Sequence, residues 1–184
     1  MIVVIAGPGG VGKDTISEAL CAEDDRFVLS RSWTTRAPRA GEGPNAYTFV
    51  DRETFEGRIA DKGFLEWAEY HGNLYGTPSP DPDDPRHLVL NIEIQGARQV
   101  LDHFSDDSFM ILLEPPSETV LTQRLRSRGD DEQAVERRVA AAYAELSEGR
   151  TIADAVVIND DLTQAIGQVR RILEGRLSGG TPAL

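Results

Sequence analysis

The fold is decided by the stretch Met1-Ile-Val-Val-Ile-Ala-Gly-Pro-Gly-Gly-Val-Gly-Lys-Asp-Thr15. Its first part, residues 2–6, is a continuous apolar run, which predicts a strand buried on both faces of a sheet. A glycine-rich loop follows and ends in Gly12-Lys13, where a helical pattern begins. Such a loop turns backbone N–H groups around an anion, while the helix N-terminus and the lysine add positive charge. The stretch therefore predicts a loop that binds the phosphates of a nucleoside triphosphate. Its candidate contacts are Gly7, Pro8, Gly9, Gly10, Val11, Gly12, Lys13, Asp14 and Thr15.

One position departs from the phosphate-loop pattern G-x-x-x-x-G-K-[ST]. Asp14 stands where a serine or threonine ordinarily ligates Mg²⁺, and Thr15 follows one residue later. We take Asp14 as the candidate Mg²⁺ ligand, since carboxylate oxygens also bind this ion. A glycine-rich turn without any ligand is the alternative interpretation. The lysine, the spacing and the preceding strand together disfavour it.

The composition restricts the kinds of function that remain possible. The chain has 184 residues, a formal charge of −12 and a single cysteine, Cys21, so no disulfide and no cysteine metal site can form within it. The negative charge argues against a general nucleic-acid or anionic-membrane surface. Because the chain has neither an N-terminal signal pattern nor an apolar run of about 20 residues, we expect a cytoplasmic location.

Apolar strands alternate with helices, which predicts an α/β fold with a five-stranded parallel sheet between two layers of helices. The predicted strands of this sheet are 2–6, 27–29, 88–92, 110–113 and 155–158. The predicted helices are 15–22, 51–61, 95–103, 117–126, 132–146 and 161–177. Residues 31–78 interrupt the alternation with short strands at 46–50, 64–70 and 73–75, which predicts an inserted, partly antiparallel subdomain. Ligands of such sheets bind at the carboxyl ends of the strands.

Two further groups of residues suggest anion and base recognition. Arg36 and Arg39 lie in a segment rich in arginine, proline and glycine, and their guanidinium groups could clamp a phosphomonoester. A solvated basic loop is the plainer alternative. Glu66 lies in an otherwise apolar strand, where a carboxylate is expected only if it meets donors such as the N–H groups of a base.

The order of the motifs resembles that of the guanylate kinase family over almost the whole chain, to about Leu177. The matching motifs are Gly7-Pro-Gly-Gly-Val-Gly-Lys13, Thr34-Thr-Arg-Ala-Pro-Arg39, Phe64-Leu-Glu-Trp-Ala68, Gly72-Asn-Leu-Tyr-Gly-Thr77, Ile94-Gln-Gly-Ala97, Arg124-Leu-Arg-Ser-Arg-Gly129 and Val157-Ile-Asn-Asp160. The resemblance implies Mg²⁺-assisted transfer of a phosphoryl group from ATP to GMP or dGMP. It also implies a division of the chain into a core (1–30, 87–123 and 147–177), a monophosphate-binding subdomain (31–86), a helical lid (124–146) and a tail (178–184).

The resemblance also implies roles for individual residues. The catalytic cations would be Lys13, Arg128 and Arg138, with Arg124 and Asn159 near the ATP. The GMP-binding set would be Ser32, Arg36, Arg39, Tyr47, Glu66, Tyr75, Thr77 and Glu93. Positioning and charge stabilisation would carry most of the catalysis, with no covalent intermediate and no general base.

Three departures from the family pattern stand out: Asp14, Asn91 in place of an acid at the end of a strand, and a shortened, proline-rich segment at 79–86. We hypothesise that Asp14 restores the carboxylate that Asn91 lacks. Two alternatives to guanylate kinase activity remain. Gly-Lys-Asp at the phosphate loop is also characteristic of ribose 1,5-bisphosphate phosphokinases, and some guanylate-kinase-like domains are inactive modules that bind proteins.

Overall fold

A computed structural model of the chain describes residues 1–38, 43, 46–70, 72–127 and 131–179. This described part contains nine strands and six helices. The strands are β1 Ile2–Ala6, β2 Phe27–Leu29, β3 Trp33–Thr34, β4 Thr48–Phe49, β5 Phe64–Tyr70, β6 Asn73–Pro78, β7 His87–Ile92, β8 Ser108–Glu114 and β9 Ala155–Ile158. The helices are α1 Lys13–Glu23, α2 Arg52–Ala60, α3 Ile94–Phe104, α4 Glu118–Ser127, α5 Glu132–Ile152 and α6 Leu162–Leu177.

The central sheet has five strands in the order β2-β7-β1-β8-β9, and every neighbouring pair is parallel. β1 lies in the middle because all five of its residues are apolar and buried. Successive side chains of β1 point to opposite faces of the sheet. Val3 and Ile5 pack with α1 and α6, whereas Ile2, Val4 and Ala6 pack with α3 and the end of α5. The predicted three-layer α/β/α architecture with five parallel strands is confirmed.

A second, mixed sheet lies beside the first, with the order β4-β3-β6-β5. β3 pairs with β6 in antiparallel and with β4 in parallel orientation, and β5 pairs with β6 in antiparallel orientation. The predicted insertion is therefore partly antiparallel, as expected. Its details differ: the strand predicted at 46–50 is only Thr48–Phe49, residues 33–34 form a strand within a predicted loop, and β6 extends to Pro78.

Aspartates begin three of the helices. The side chains of Asp51, Asp131 and Asp161 accept hydrogen bonds from backbone N–H groups three residues later, and so cap α2, α5 and α6. A separate apolar cluster of α4 and α5, which includes Leu121, Leu125 and Val139, holds these two helices together. α5 runs without a break across residues 146 and 147, where the family resemblance implies that the lid meets the core.

Among the helices within the described ranges, none is both long enough and apolar enough to cross a membrane.

Candidate active site

A cleft of about 1160 Å³, part of it open to solvent, lies between the phosphate loop and the second sheet. The cleft brings together most of the residues that the sequence singled out. From the phosphate loop and α1 come Pro8, Gly9, Gly10, Gly12, Lys13 and Asp14. From the remaining elements come Ser32, Arg36, Tyr47, Glu66, Tyr75, Glu93 and Arg138. Arg39 and Arg128 lie outside the described residues.

The Lys13 ammonium group is held inside the phosphate loop. Its Nζ donates to Gly7 O at 2.6 Å and lies 3.4 Å from Pro8 O. It also forms an ion pair with Glu93 Oε1 at 3.0 Å, and Lys13 is only 8% exposed. The other oxygen of Glu93 is buried and finds no hydrogen-bond partner among the described residues. The loop therefore holds a preorganised cation at the N-terminus of α1, where an anion is favoured.

Asn159 and Arg124 hold the phosphate loop in place through hydrogen bonds to backbone oxygens. Asn159 Nδ2 donates to Val11 O at 2.8 Å, and Arg124 Nη2 donates to Asn159 O at 2.9 Å. Gly12 has φ of 100°, and a Cβ there would lie 2.4 Å from Asn159 Nδ2. Both the left-handed backbone and this close approach require glycine. The side-chain nitrogen of Asn159 thus binds the loop, and its Oδ1 has no partner in the described part of the chain.

Asp14 and Asn91 are in direct contact. Asn91 Nδ2 donates to Asp14 Oδ1 at 2.5 Å, and both residues line the cleft beside Lys13. The two departures from the family pattern at this place are therefore neighbours in space. One carboxylate oxygen of Asp14 is oriented by the amide of Asn91, which leaves the other oxygen available for a ligand.

Glu66 is a buried carboxylate on the side of the cleft that the second sheet forms, with 5% exposure. Its Oε1 accepts hydrogen bonds from Thr77 Oγ1 at 2.6 Å and from Thr77 N at 3.1 Å. Burial raises the pKa of Glu66, and the two bonds from Thr77 oppose that rise. Its Oε2 lies so close to Gly96 that a Cβ there would be 2.6 Å away. Thr77 therefore fixes the carboxylate, and Gly96 provides the space for it.

Aromatic rings and an arginine form the wall next to Glu66. The Arg36 guanidinium lies over the ring of Tyr47, 5.4 Å from its centroid, and Tyr47 packs edge-on against Tyr75 at 6.1 Å. Burial and the charges of Asp14 and Glu93 raise the pKa of the Tyr47 phenol. The phenol therefore stays protonated at neutral pH and can donate a hydrogen bond to an anion.

Glu145 is a half-buried carboxyl of α5 beside the cleft. It accepts a hydrogen bond from Tyr70 Oη at 3.0 Å. Burial raises its pKa to about 7 and the charge of Glu93 adds to the rise, while the Tyr70 bond and the charge of Lys13 oppose it. The charge of Glu148 raises it slightly further. Glu145 therefore changes its protonation state close to neutral pH.

The raised pKa of Glu145 predicts a pH-dependent stability. Between about pH 4.5, the pKa of an unfolded glutamate, and about 7 the folded state binds more protons than the unfolded state, so stability falls as pH rises. Glu145→Gln removes this titration. We subtract the free energy of unfolding of wild type from that of the variant at each pH. We expect this difference to be about 1 kcal/mol larger at pH 7.5 than at pH 4.5. Urea unfolding at the two pH values measures it, with the exposed Glu136→Gln on the same helix as control. An equal change in both variants would contradict the assignment.

The sequence did not single out Tyr70, Gly96 or Glu145. Glu66, Ala68 and Tyr70 alternate along β5 and all line the cleft, so the strand period could have identified Tyr70. Nothing local marks Glu145, because its role depends on a contact with a strand that lies far away in the sequence. Thr77 touches Glu66 rather than lining the cleft, and Thr15 is exposed on α1.

A lysine-bearing phosphate loop faces a wall of the same cleft that carries an arginine, tyrosines and a buried carboxylate. These features define a phosphate-loop kinase that acts on a small acceptor molecule.

Comparison with known proteins identifies the family. The family model for guanylate kinase matches residues 1–176. A guanylate kinase of Synechococcus sp. (strain CC9902) is 45% identical over 174 residues, covering 91% of this chain and 92% of that protein. One of Nitratidesulfovibrio vulgaris is 42% identical over 177 residues, covering 92% and 84%. The crystal structure of guanylate kinase from Anaplasma phagocytophilum has a TM-score of 0.76 at 29% identity, covering 96% of this chain and 85% of that one. The chain belongs to the guanylate kinase family.

The fold also occurs in a more distant protein. The SH3-kinase fragment of tight junction protein 3 matches with a TM-score of 0.50 at 15% identity, covering 95% of this chain and 56% of that one. At this identity the likeness extends to the fold alone.

Proposed function

We infer that the chain is an active guanylate kinase, which transfers the terminal phosphoryl group of ATP to GMP and produces ADP and GDP. The observation that carries this conclusion is that one cleft holds both Lys13 of the phosphate loop and the buried carboxylate of Glu66. The first suits the phosphates of the donor, and the second suits the base of the acceptor.

Guanine is the base that suits Glu66. Its Watson–Crick edge presents two adjacent N–H donors, which a carboxylate can accept together. Ser32, 9% exposed and in the same cleft, supplies a further polar contact, and Thr77 keeps the carboxylate in place. Adenine lacks this pair of donors and would leave part of the buried, charged carboxylate without the donors that guanine supplies, at a cost above about 3 kcal/mol. We propose that Ser32 and Glu66 read guanine and that Thr77 contributes by positioning Glu66.

The acceptor's phosphate would be held by Arg36, Tyr47 and Tyr75, together with Arg39. In support, Arg36 and both tyrosines line one wall of the cleft, and the protonated Tyr47 can donate a hydrogen bond. Since the acceptor is recognised through its phosphate and its base, we propose that dGMP is accepted as well. Glu93, with one buried oxygen lacking a partner among the described residues, is a further acceptor-binding candidate.

Charge stabilisation would be the main catalytic contribution. Lys13 and Arg138 both line the cleft and would neutralise charge that develops on the transferring phosphoryl group, with Arg128 as a third cation. Arg124 would lie near the phosphates of ATP and Asn159 near its adenine. Asn159 also holds the loop through Val11 O, and Arg124 holds Asn159. Residues 31–86 would form the acceptor-binding unit and residues 124–146 the lid.

The residues around Asp14 also fit Mg²⁺. This ion commonly binds one or two carboxylates together with substrate phosphates and water, so a complete protein cage is unnecessary. Asp14 supplies one carboxylate beside Lys13, and Asn91 orients it. When bound, Mg²⁺ would offset negative charge on the phosphates of ATP. We propose that Asp14 takes the place of the carboxylate that the family pattern has at position 91.

The exchange between positions 14 and 91 predicts compensation. We expect Asp14→Ser to weaken the apparent Mg²⁺ affinity of the nucleotide complex about tenfold. We expect Asn91→Asp alone to be harmful too, because two carboxylates would then be in contact. The double variant should recover most of the loss. Titration of Mg²⁺ into the protein with ADP by calorimetry measures this without turnover. Glu18→Ser, one turn further along α1, is the control, and additive losses in the double variant would refute compensation.

The Gly-Lys-Asp sequence keeps one alternative open, a ribose 1,5-bisphosphate phosphokinase. A coupled assay of ADP release with GMP or ribose 1,5-bisphosphate as acceptor separates the two activities. We expect turnover with GMP and little with the sugar phosphate, since only GMP gives Glu66 its donors. Turnover of the sugar phosphate alone would refute the proposed function. No turnover of either would favour the inactive binding module, against which the presence of Lys13 and Arg138 in one cleft argues.

A further inference from the structure

A hydrogen bond joins the second sheet to α5 beside the cleft. Tyr70 Oη, at the end of β5, donates to Glu145 Oε1 at 3.0 Å, and the two residues are 75 positions apart in the sequence. The other carboxylate oxygen of Glu145 is buried and has no hydrogen-bond partner among the described residues. The bond thus connects two elements that carry different parts of the site.

On the sheet side, Tyr70 continues the wall that faces the acceptor's phosphate. Its ring packs edge-on against Tyr75, with the centroids 6.5 Å apart, and Tyr75 packs in the same way against Tyr47 at 6.1 Å. Arg36 lies over Tyr47. A displacement of Tyr70 would therefore be transmitted through packed rings to the acceptor pocket.

On the helix side, Glu145 shares a face of α5 with Arg138. The two residues are seven positions apart, which is about two helical turns or 10 Å along the axis. Arg138 lines the cleft. Burial raises the pKa of the Tyr70 phenol, and the charge of Arg138, which lies close enough to act on it, opposes that rise. Directly after Glu145, Leu146 is buried in the core, and at Gly149 a Cβ would lie 2.8 Å from Leu112. The C-terminal part of α5 is therefore fixed by packing.

We propose that the Tyr70–Glu145 hydrogen bond positions α5 relative to the acceptor pocket, so that Arg138 meets the transferring phosphoryl group. Tyr70 and Glu145 would then be positioning residues for the reaction, and this inference rests on the proposed role of Arg138. The bond holds the face of α5 that bears Arg138 against the sheet that bears the acceptor. An error of about 1 Å in such an alignment can reduce the rate about 100-fold.

Three variants isolate the hydrogen bond. Tyr70→Phe keeps the ring contacts and removes the donor, and we expect kcat to fall about tenfold with little change in the KM for GMP. Glu145→Leu, which removes the acceptor, should match it, whereas Glu145→Gln retains an acceptor oxygen and should stay near wild type. Tyr143→Phe is the matched control, since Tyr143 is exposed on the same helix. An unchanged kcat in Tyr70→Phe would overturn the proposal.

A double-mutant cycle with Arg138 separates positioning from a merely structural role. If Tyr70 acts through Arg138, Tyr70→Phe should lower kcat less than about twofold in an Arg138→Gln background, although it lowers kcat about tenfold in wild type. Independent losses that multiply in the double variant would overturn the inference and leave the role of Arg138 intact. If Arg138→Gln alone keeps its kcat, the role proposed for Arg138 fails, and the inference fails with it.

Discussion

We expect Lys13→Met to reduce kcat about 1000-fold, because the variant loses the cation that the phosphate loop holds against the developing charge. Lys13 Nζ bonds Gly7 O at 2.6 Å and Glu93 Oε1 at 3.0 Å, so the ammonium group is already in place before any phosphate binds. Methionine has nearly the same length and shape without the charge. Steady-state assays of ADP release with saturating ATP and GMP measure the loss.

The chain supplies a close control for this substitution. Its only other lysine is Lys62, which is exposed at the end of α2. Lys62→Met removes the same charge far from the phosphate loop and should keep wild-type kcat. Lys13→Met leaves Glu93 without its counter-ion, so thermal unfolding of each variant is recorded alongside. A folded Lys13→Met variant with wild-type turnover would contradict the assignment of the loop.

The second large effect concerns recognition of the base. We expect Glu66→Gln to reduce kcat/KM for GMP about 100-fold, because an amide cannot accept from both N–H donors of guanine with the same group. IMP has the same phosphate and sugar but lacks the exocyclic amino donor. Its kcat/KM should fall less, about tenfold, so the preference for GMP over IMP should narrow. Initial rates with both acceptors give the ratio for each variant.

Glu69→Gln is the matched control for Glu66→Gln. Glu69 lies three residues further along β5, on the opposite face, where it is exposed and 3.4 Å from Arg52. Glu69→Gln should leave kcat/KM for GMP, kcat/KM for IMP and the ratio of the two values unchanged. If the GMP-to-IMP ratio stays constant in Glu66→Gln, Glu66 does not read the base.

The features that could be predicted from the sequence are those encoded locally. The strand, the glycines and Lys13 of the phosphate loop are contiguous, so β1 and the start of α1 follow from composition and period alone. The parallel orientation of the five strands follows from the helical crossovers that connect the buried apolar runs. By contrast, β3 and β4 consist of two residues each and exist only through their pairing with one another and with β6. No local pattern marks strands of that length.

The contacts that shape the site are mostly long-range. The sequence shows that Asp14 and Asn91 both depart from the family pattern, but only the fold shows that they touch. The sequence shows Gly96 only as part of a motif. The structure shows why glycine is needed there: a side chain at position 96 would displace the Oε2 atom of Glu66. Glu145, on α5, carries no signal at all, because its partner Tyr70 lies on a strand of the second sheet, 75 positions away in the sequence. Such pairs depend on tertiary geometry, which spacing along the chain does not encode.

We propose that a guanine nucleotide is phosphorylated in this cleft. The most direct measurement compares kcat/KM for GMP and AMP with the wild-type chain, ATP and Mg²⁺, followed by ADP release. The two acceptors share the phosphate, the sugar and the purine shape, and they differ in the donors that they offer to Glu66. We expect kcat/KM for GMP to exceed that for AMP by about 1000-fold or more. Equal values, or turnover of AMP without turnover of GMP, would contradict the assignment of GMP as the acceptor.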